Sequence, residues 1–276
     1  MVVINTNIDS LKMQKGLISS SQKSSTSLKR LSSGLRINSA ADDAAGLALS
    51  EEFAVRSSSG QVARKNAQTG VNLVQVLDDS YAVATDILFR MRDLAVQSAN
   101  GIYSDEEREA LNSEYSTLEE ELSKILTGMK FGDLRLFNVA DPYADFNLEL
   151  QIGTGDTSND KFSINVKNPY GIATGIIDVG SVSSASTAIG SMDLRIADIS
   201  KERAKFGSYI NQLNSIISGL EVGNQNMRAA KSTITDTDIA VESANIVKNQ
   251  IIQQTSATLL AQANQTLSIA LNIVSN

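Results

Sequence analysis

The chain of 276 residues contains no cysteine, no histidine and no tryptophan. Without Cys there is neither a disulfide nor a thiolate metal site, a composition that suits an extracellular life. Without His the commonest general base and metal ligand is missing. Proline occurs only at Pro142 and Pro169, so the long stretches on either side can stay helical without interruption. A formal net charge of -7 argues against nucleic acid as a partner, because phosphate recognition needs a basic surface. No run of about 18 apolar residues occurs, so no membrane insertion is expected. The start MVVINTNIDSLKMQKGLISSS lacks a basic region followed by an apolar core, and no cleaved secretory signal is expected.

Catalytic signatures are equally scarce. Glu114, Glu119, Glu120 and Glu121 sit in one helical stretch, but neighbouring carboxylates on a helix point in different directions and read as a solvated face. Asp42 and Asp43 read as helix caps. The IGTGD run at 152–156 lacks G-x-G-x-x-G and a P-loop lysine and reads as a turn. No catalytic residue, cofactor or metal site is expected.

What the chain does have is helical periodicity. Residues 249–276 hold no Lys, Arg, Asp or Glu. Ile239, Ile246, Leu260, Leu267 and Val274 share a seven-residue register, with Gln253 in the open slot, and Ile252, Leu259 and Ile273 fill the next column. The back of this helix is Gln, Asn, Ser and Thr. A helix with an apolar stripe and no charge is suited to burial against other protein chains. The beginning of the chain mirrors it: Ile4, Ile8, Leu11 and Ile18 lie on one helical face and Leu28, Leu31 and Leu35 continue a stripe. Asn5, Asn7 or Asp9 supplies the cap. The N-terminal stripe is a candidate partner for the tail, with Ile246, Leu260, Leu267 and Val274 expected against Ile4, Ile8, Leu11 and neighbouring chains.

A second helix is predicted from about Asp42 to Asn100, with Val71, Val74, Leu77, Tyr81, Ala84, Leu88, Met91 and Ala95 as its core face. Gly60 and Gly70 mark close packing or a bend, and Gly101 a stop. Ser104 and Glu107 fit a capping box for a third helix ending near Gly128. Two β-like runs follow, LELQI at 148–152 and KFSINV at 161–166, in a Ser- and Thr-rich stretch at about 130–190. Helix returns near Ala188 and runs to about Lys231, with Leu194, Ile199, Phe206, Ile210, Leu213, Ile217 and Leu220 as its apolar face and Gly223 as a bend or turn. Thr235 to Asp238 can cap the final helix. The expected fold class is mainly α: a long antiparallel helical rod and a terminal coiled coil, with a small β-hairpin element.

Several of these segments together resemble one family. LSSGLRINSAADDAAGLALSEEF at 31–53, preceded by INTN at 4–7, is similar to the N-terminal hallmark of bacterial flagellin. LFRMRDLAVQSANG at 88–101 resembles its second stretch, and DTDIAVESANIVKNQIIQQTSATLLAQANQ at 236–265 its C-terminal hallmark. The resemblance covers about 1–138 and 192–276. It implies an inner terminal coiled-coil domain of 1–41 with 235–276, and a helical rod domain of 42–234 carrying a small β insert at about 130–190. This is a short form without large outer domains.

The resemblance also implies the work: a non-enzymatic subunit that self-assembles into the extracellular helical filament used for swimming. Implied partners are further copies of the chain, a flagellar export chaperone on the C-terminal segment, and the filament cap and hook-associated proteins. Export is implied through the flagellar type III channel. Arg90, Leu94 and Glu114 match the positions by which family members contact the vertebrate innate immune receptor for flagellin. Phe89 stands where a Gln is common. The alternative within reach is the hook–filament junction protein, which shares the terminal helices. A Ser/Thr-rich stretch at 181–187 is expected to be exposed and open to O-glycosylation.

Overall fold

The computed structural model describes residues 6–137, 145–169, 172 and 177–275, with side chains up to residue 266. Ile4 and Asn5 lie outside the described residues. Contacts divide the chain into two compact units, one of Met1–Ser57 with Gln225–Asn276 and one of Ser58–Asn224.

In the first unit α1 (Ile8–Ser33) starts at Asn7, whose side chain accepts from the Ser10 N–H, and stops at Gly34, where φ is 70°. That left-handed backbone has no steric cost for a residue without a Cβ. Helix α5 (Ile239–Ser275) starts after Asp238, whose carboxylate accepts from the N–H groups of Ala240 and Val241. The two helices run antiparallel. Asn7 Nδ2 donates to the Ala263 carbonyl at 3.0 Å at one end, and Arg30 meets Glu242 at 3.2 Å at the other. Beyond α1, the Arg36 N–H donates to the Thr235 carbonyl at 2.7 Å and the Thr237 N–H to the Gly34 carbonyl at 3.0 Å. Asp42 then collects the N–H groups of Asn38 and Ser39 and the Ser39 hydroxyl. The Asn38 N–H, more than the others, holds its carboxyl below the usual range. Asp43 accepts from the Gly46 N–H at 2.9 Å and so caps α2 (Ala44–Ser98).

The second unit is built on α2, α3 (Asp105–Thr127) and α4 (Val182–Thr235). All eight residues assigned to the α2 core face from sequence are buried. Both halves of the Ser104–Glu107 capping box are present at the start of α3, which ends at Gly128. From α4 the seven-residue column Met192, Ile199, Phe206 and Leu213 is buried. Tyr81 and Phe206 meet edge to face with ring centroids 5.1 Å apart, a geometry that adds to burial. A short hairpin, β1 (Lys130–Phe131) with β2 (Leu134–Arg135), follows α3. The longer hairpin pairs β3 (Phe146–Gln151) with β4 (Lys161–Val166), Leu148 opposite Ile164 and Leu150 opposite Phe162. Alternation along β4 sends Ile164 and Val166 into the core. IGTGD lies in the connection between β3 and β4, where a methyl on Gly153 would collide with the Asp160 carboxylate. A methyl on Gly70 would collide with Leu150, so this glycine of α2 marks close packing against the hairpin.

Three expectations need correction. Leu194 is 71% exposed, because Met192, and not Leu194, shares the register of Ile199. Helix α4 begins at Val182, well before Ala188. Ser181 and Ser184 cap it reciprocally, each hydroxyl accepting the other's N–H. Gly223 marks no turn, because α4 continues through it to Thr235.

Candidate assembly and recognition surfaces

The seam between α1 and α5 is built from small and polar groups. On α1 the buried residues are Ser20, Ser24 and Ser27; on α5 they include Glu242, Ile246, Asn249 and Ser256. Side chains this small let two helices approach closely, since interaxial distance follows the residues at the contact. The larger apolar residues face the other way. Ile8, Leu11 and Ile18 are each a little over half exposed. Ile239, Val241, Val247 and Ile251 on α5 are exposed as well. Ile246 is buried in the seam and Leu260 is half-buried. Leu267 and Val274 belong to α5, with side chains outside the described set. Among the described residues, most of the terminal apolar stripe is therefore left in water. Covering each such side chain would stabilise an assembly by about 1 kcal/mol.

One ion pair is set into the seam. Glu242 accepts from Arg30 at 3.2 Å, its side chain nearly buried while that of Arg30 is partly open. The Ser27 hydroxyl first, then Arg30 and Asn245, hold the Glu242 carboxyl below its usual range. Its Oε2 and the Arg30 Nε are buried with no hydrogen-bond partner among the described residues. Desolvation of both groups thus leaves this end of the seam less satisfied than its hydrogen-bond capacity allows.

A second surface joins α2 to α3. Arg90 donates to Glu114 Oε1 through Nε at 3.0 Å and through a terminal nitrogen at 2.5 Å, and both side chains are about half exposed. Phe89 beside them is exposed. Leu94, grouped with this pair in sequence, is 1% exposed and belongs to the core cluster with Leu88 and Tyr115. It cannot touch a partner without unpacking the unit. The turn of α2 explains this: Leu94 follows Leu88 and Met91 on the inward face.

The glutamate run is not uniformly solvated. Glu119 is buried with an unpartnered Oε2, and burial pushes its carboxyl up against the lowering effect of the Arg195 charge. Glu120 pairs with Lys124 at 3.5 Å in the open. Residue 119 falls on the same face as Tyr115 and Leu122, a placement that counting apolar residues alone overlooks. Among the described residues no group of acidic side chains could hold a metal ion, and no helix is long and apolar enough to cross a membrane. The stretch at 181–187 is the first turns of α4, with Ser181, Ser183 and Thr187 exposed.

Comparison with known proteins gives consistent matches along the chain. The family described as bacterial flagellin N-terminal helical region matches residues 4–140, and the bacterial flagellin C-terminal helical region matches residues 189–272. The flagellar filament 30.7 kDa core protein of Treponema maltophilum is 34% identical over 274 residues, covering 95% of this chain and 96% of the relative. A flagellin of Listeria monocytogenes is 34% identical over 289 residues, covering 99% of each. The crystal structure of Bacillus cereus flagellin aligns with a TM-score of 0.50 at 28% identity, over 60% of this chain and 94% of that one. A putative flagellar hook-associated protein from Vibrio parahaemolyticus aligns with a TM-score of 0.60 at 12% identity, covering 71% of this chain and 100% of that one. The last is a likeness of fold alone.

Proposed function

Because the chain belongs to the bacterial flagellin family, a family of structural proteins and not of enzymes, we propose that it is the subunit of a flagellar filament, an extracellular helical polymer of one chain used for swimming. The observation that carries this reading is the uncovered apolar face of the paired terminal helices, Ile8, Leu11 and Ile18 on α1 with Ile239 and Ile251 on α5. A monomer gains nothing from it, whereas a polymer buries it between copies. In that polymer residues 1–41 and 235–276 form the inner terminal coiled-coil domain and 42–234 the helical rod domain with its small β insert. The antiparallel pairing of α1 with α5 supports this division. Ile4, Ile8, Leu11, Ile18, Leu260, Leu267 and Val274 supply the assembly contacts, and Ile246, buried in the seam, joins α5 to α1 beneath them. The test is seeded growth: monomer mixed with short filament seeds should extend them into long filaments of constant diameter. Monomer that stays monomeric beside competent seeds would overturn the reading.

Before assembly the charge-free segment at 249–276 needs a cover, which is the part of a cytoplasmic export chaperone. Filament cap and hook-associated proteins meet the same terminal helices at the ends of the polymer. Relatives named as filament proteins span nearly the whole chain, and this favours the filament over the hook–filament junction.

A second reading concerns the free subunit. The exposed Arg90–Glu114 pair with Phe89 is a compact charged and aromatic surface, suited to recognition by the innate immune receptor for flagellin. Arg90 and Glu114 make the contact and Leu94 holds α2 beneath them. Arg90→Ala should weaken receptor signalling by purified monomer while leaving its melting temperature unchanged; equal signalling from the variant would sink this reading.

A further inference from the structure

The second unit leaves one face of α2 uncovered by its own chain. Val62, Val76 and Val83 recur at multiples of seven residues, with Thr69 in the intervening slot, and all four are outward-facing. The three valines are 55%, 36% and 50% exposed. A strict seven-residue column is the spacing of a helix that pairs with another along a shallow left-handed crossing. Within the chain that partnership is already taken on the opposite face, where Leu77 and Tyr81 are buried.

Helix α4 carries a column of the same spacing and opposite shape. Ala197, Ala204 and Asn211 are exposed and small. Gly190, Gly207, Gly219 and Gly223 lie inside the same helix, and a methyl added at any of them would meet nothing within 4 Å. Each destabilises a helix by about 1 kcal/mol relative to Ala. Nothing among the described residues requires them. A second backbone passing close by would.

We propose that the valine column of α2 docks on the small-residue column of α4 in a second copy of the chain. This rests on the polymer reading above and names a contact within it. One antiparallel register satisfies both columns. With Thr69 opposite Asn211, the polar slot of each column meets the polar slot of the other, Val76 falls on Ala204 and Val83 on Ala197. The same register brings Asp79 opposite Lys201. Asp79 is exposed and makes no salt bridge among the described residues, and the Lys201 side chain is 72% exposed and held only by Asp198 on its own helix. Matching shape, period and charge therefore coincide in one alignment. The two columns lie on different helices of one subunit, so each copy offers one column and receives on the other, and in the polymer the contact propagates head-to-tail.

The absence of cysteine makes the test direct. Val76→Cys and Ala204→Cys variants are polymerised together in equal amounts and oxidised. The expected result is a cross-linked dimer as the main product, far exceeding that from Val76→Cys paired with Asn211→Cys, a register one heptad away. Filaments that form normally and yield no more dimer than the shifted pair overturn the proposal while leaving the polymer reading intact. Failure of the unsubstituted chain to extend seeds would remove the polymer reading itself. Should a cysteine variant not assemble, charge provides a second measure. Asp79→Lys should slow seeded growth by about tenfold through like-charge contact with Lys201, and adding Lys201→Asp should restore it. No rescue by the paired variant overturns the proposal.

Discussion

The two units bury opposite kinds of residue. Ser58–Asn224 puts its large side chains inside, with Tyr81, Tyr115, Phe206 and Leu126 almost wholly enclosed. The pair α1 and α5 puts serines, Asn249, Ile246 and a salt bridge inside and leaves Ile8, Leu11, Ile18, Ile239, Val241, Val247 and Ile251 outside. One unit encloses its large apolar side chains; the other leaves most of those described uncovered. A core of the first kind supplies stability to a lone chain. A seam of the second kind only aligns two helices so that their outer faces can be shared.

The largest effect should come from removing the end of α5. A chain lacking 260–276 should fail to polymerise altogether while the second unit keeps its unfolding transition; normal filaments would erase the proposed division of labour. Point substitutions test the same contrast more finely. Phe206→Ala should cost the monomer about 3–5 kcal/mol, as loss of a buried aromatic does. Leu11→Ala should change monomer stability by less than about 0.5 kcal/mol yet slow filament growth. Chemical denaturation and seeded growth, run on both variants, would show whether the two losses separate.

The buried carboxylates extend the comparison to pH. Glu242, held low by Ser27 and Arg30, contributes stability that is present above its unfolded pKa and lost as pH falls through its lowered folded value. Glu119, pushed up by burial, acts with the opposite sign. Its charged form penalises the folded state as pH rises through the unfolded and then the folded pKa, and acid relieves it. Hydrogen exchange followed from neutral to acid pH should therefore show α1 and α5 opening first. Glu242→Gln should flatten that response at a cost of about 1–2 kcal/mol, the low end because Arg30 stays partly in water. A smaller loss than at Phe206 is expected at Ser104→Ala, which removes half of the α3 capping box and should cost about 1 kcal/mol in thermal unfolding of the second unit.

Much of the second unit was legible because its apolar residues obey a strict period. Val71 to Ala95 on α2 needed no tertiary knowledge, and Ser104 with Glu107 announced α3 through a familiar pair. The start of α4 escaped because Ser184 completes its cap where Glu or Gln would have been conspicuous. Leu194 misled because it is the larger apolar residue beside the true register of Met192. At the termini the stripe was visible but its direction was not. Apolar residues on a helix are expected to face the nearest partner, and here Ser20, Ser24 and Ser27 do so instead. A seven-residue count of small polar residues would have found them: Ser20 and Ser27 on one helix answer Glu242, Asn249 and Ser256 on the other. Leu94 shows a related blind spot, since a sequence motif does not distinguish a residue that touches a partner from one that supports it.

The charge-free stretch at 249–276 has a consequence for endurance. Contacts between ions weaken as dissolved salt rises and strengthen as it is diluted. A helix without ions offers nothing for that change to act upon. A fibre that buried this stretch against itself would keep those contacts free of charge screening, whatever the ionic strength around it.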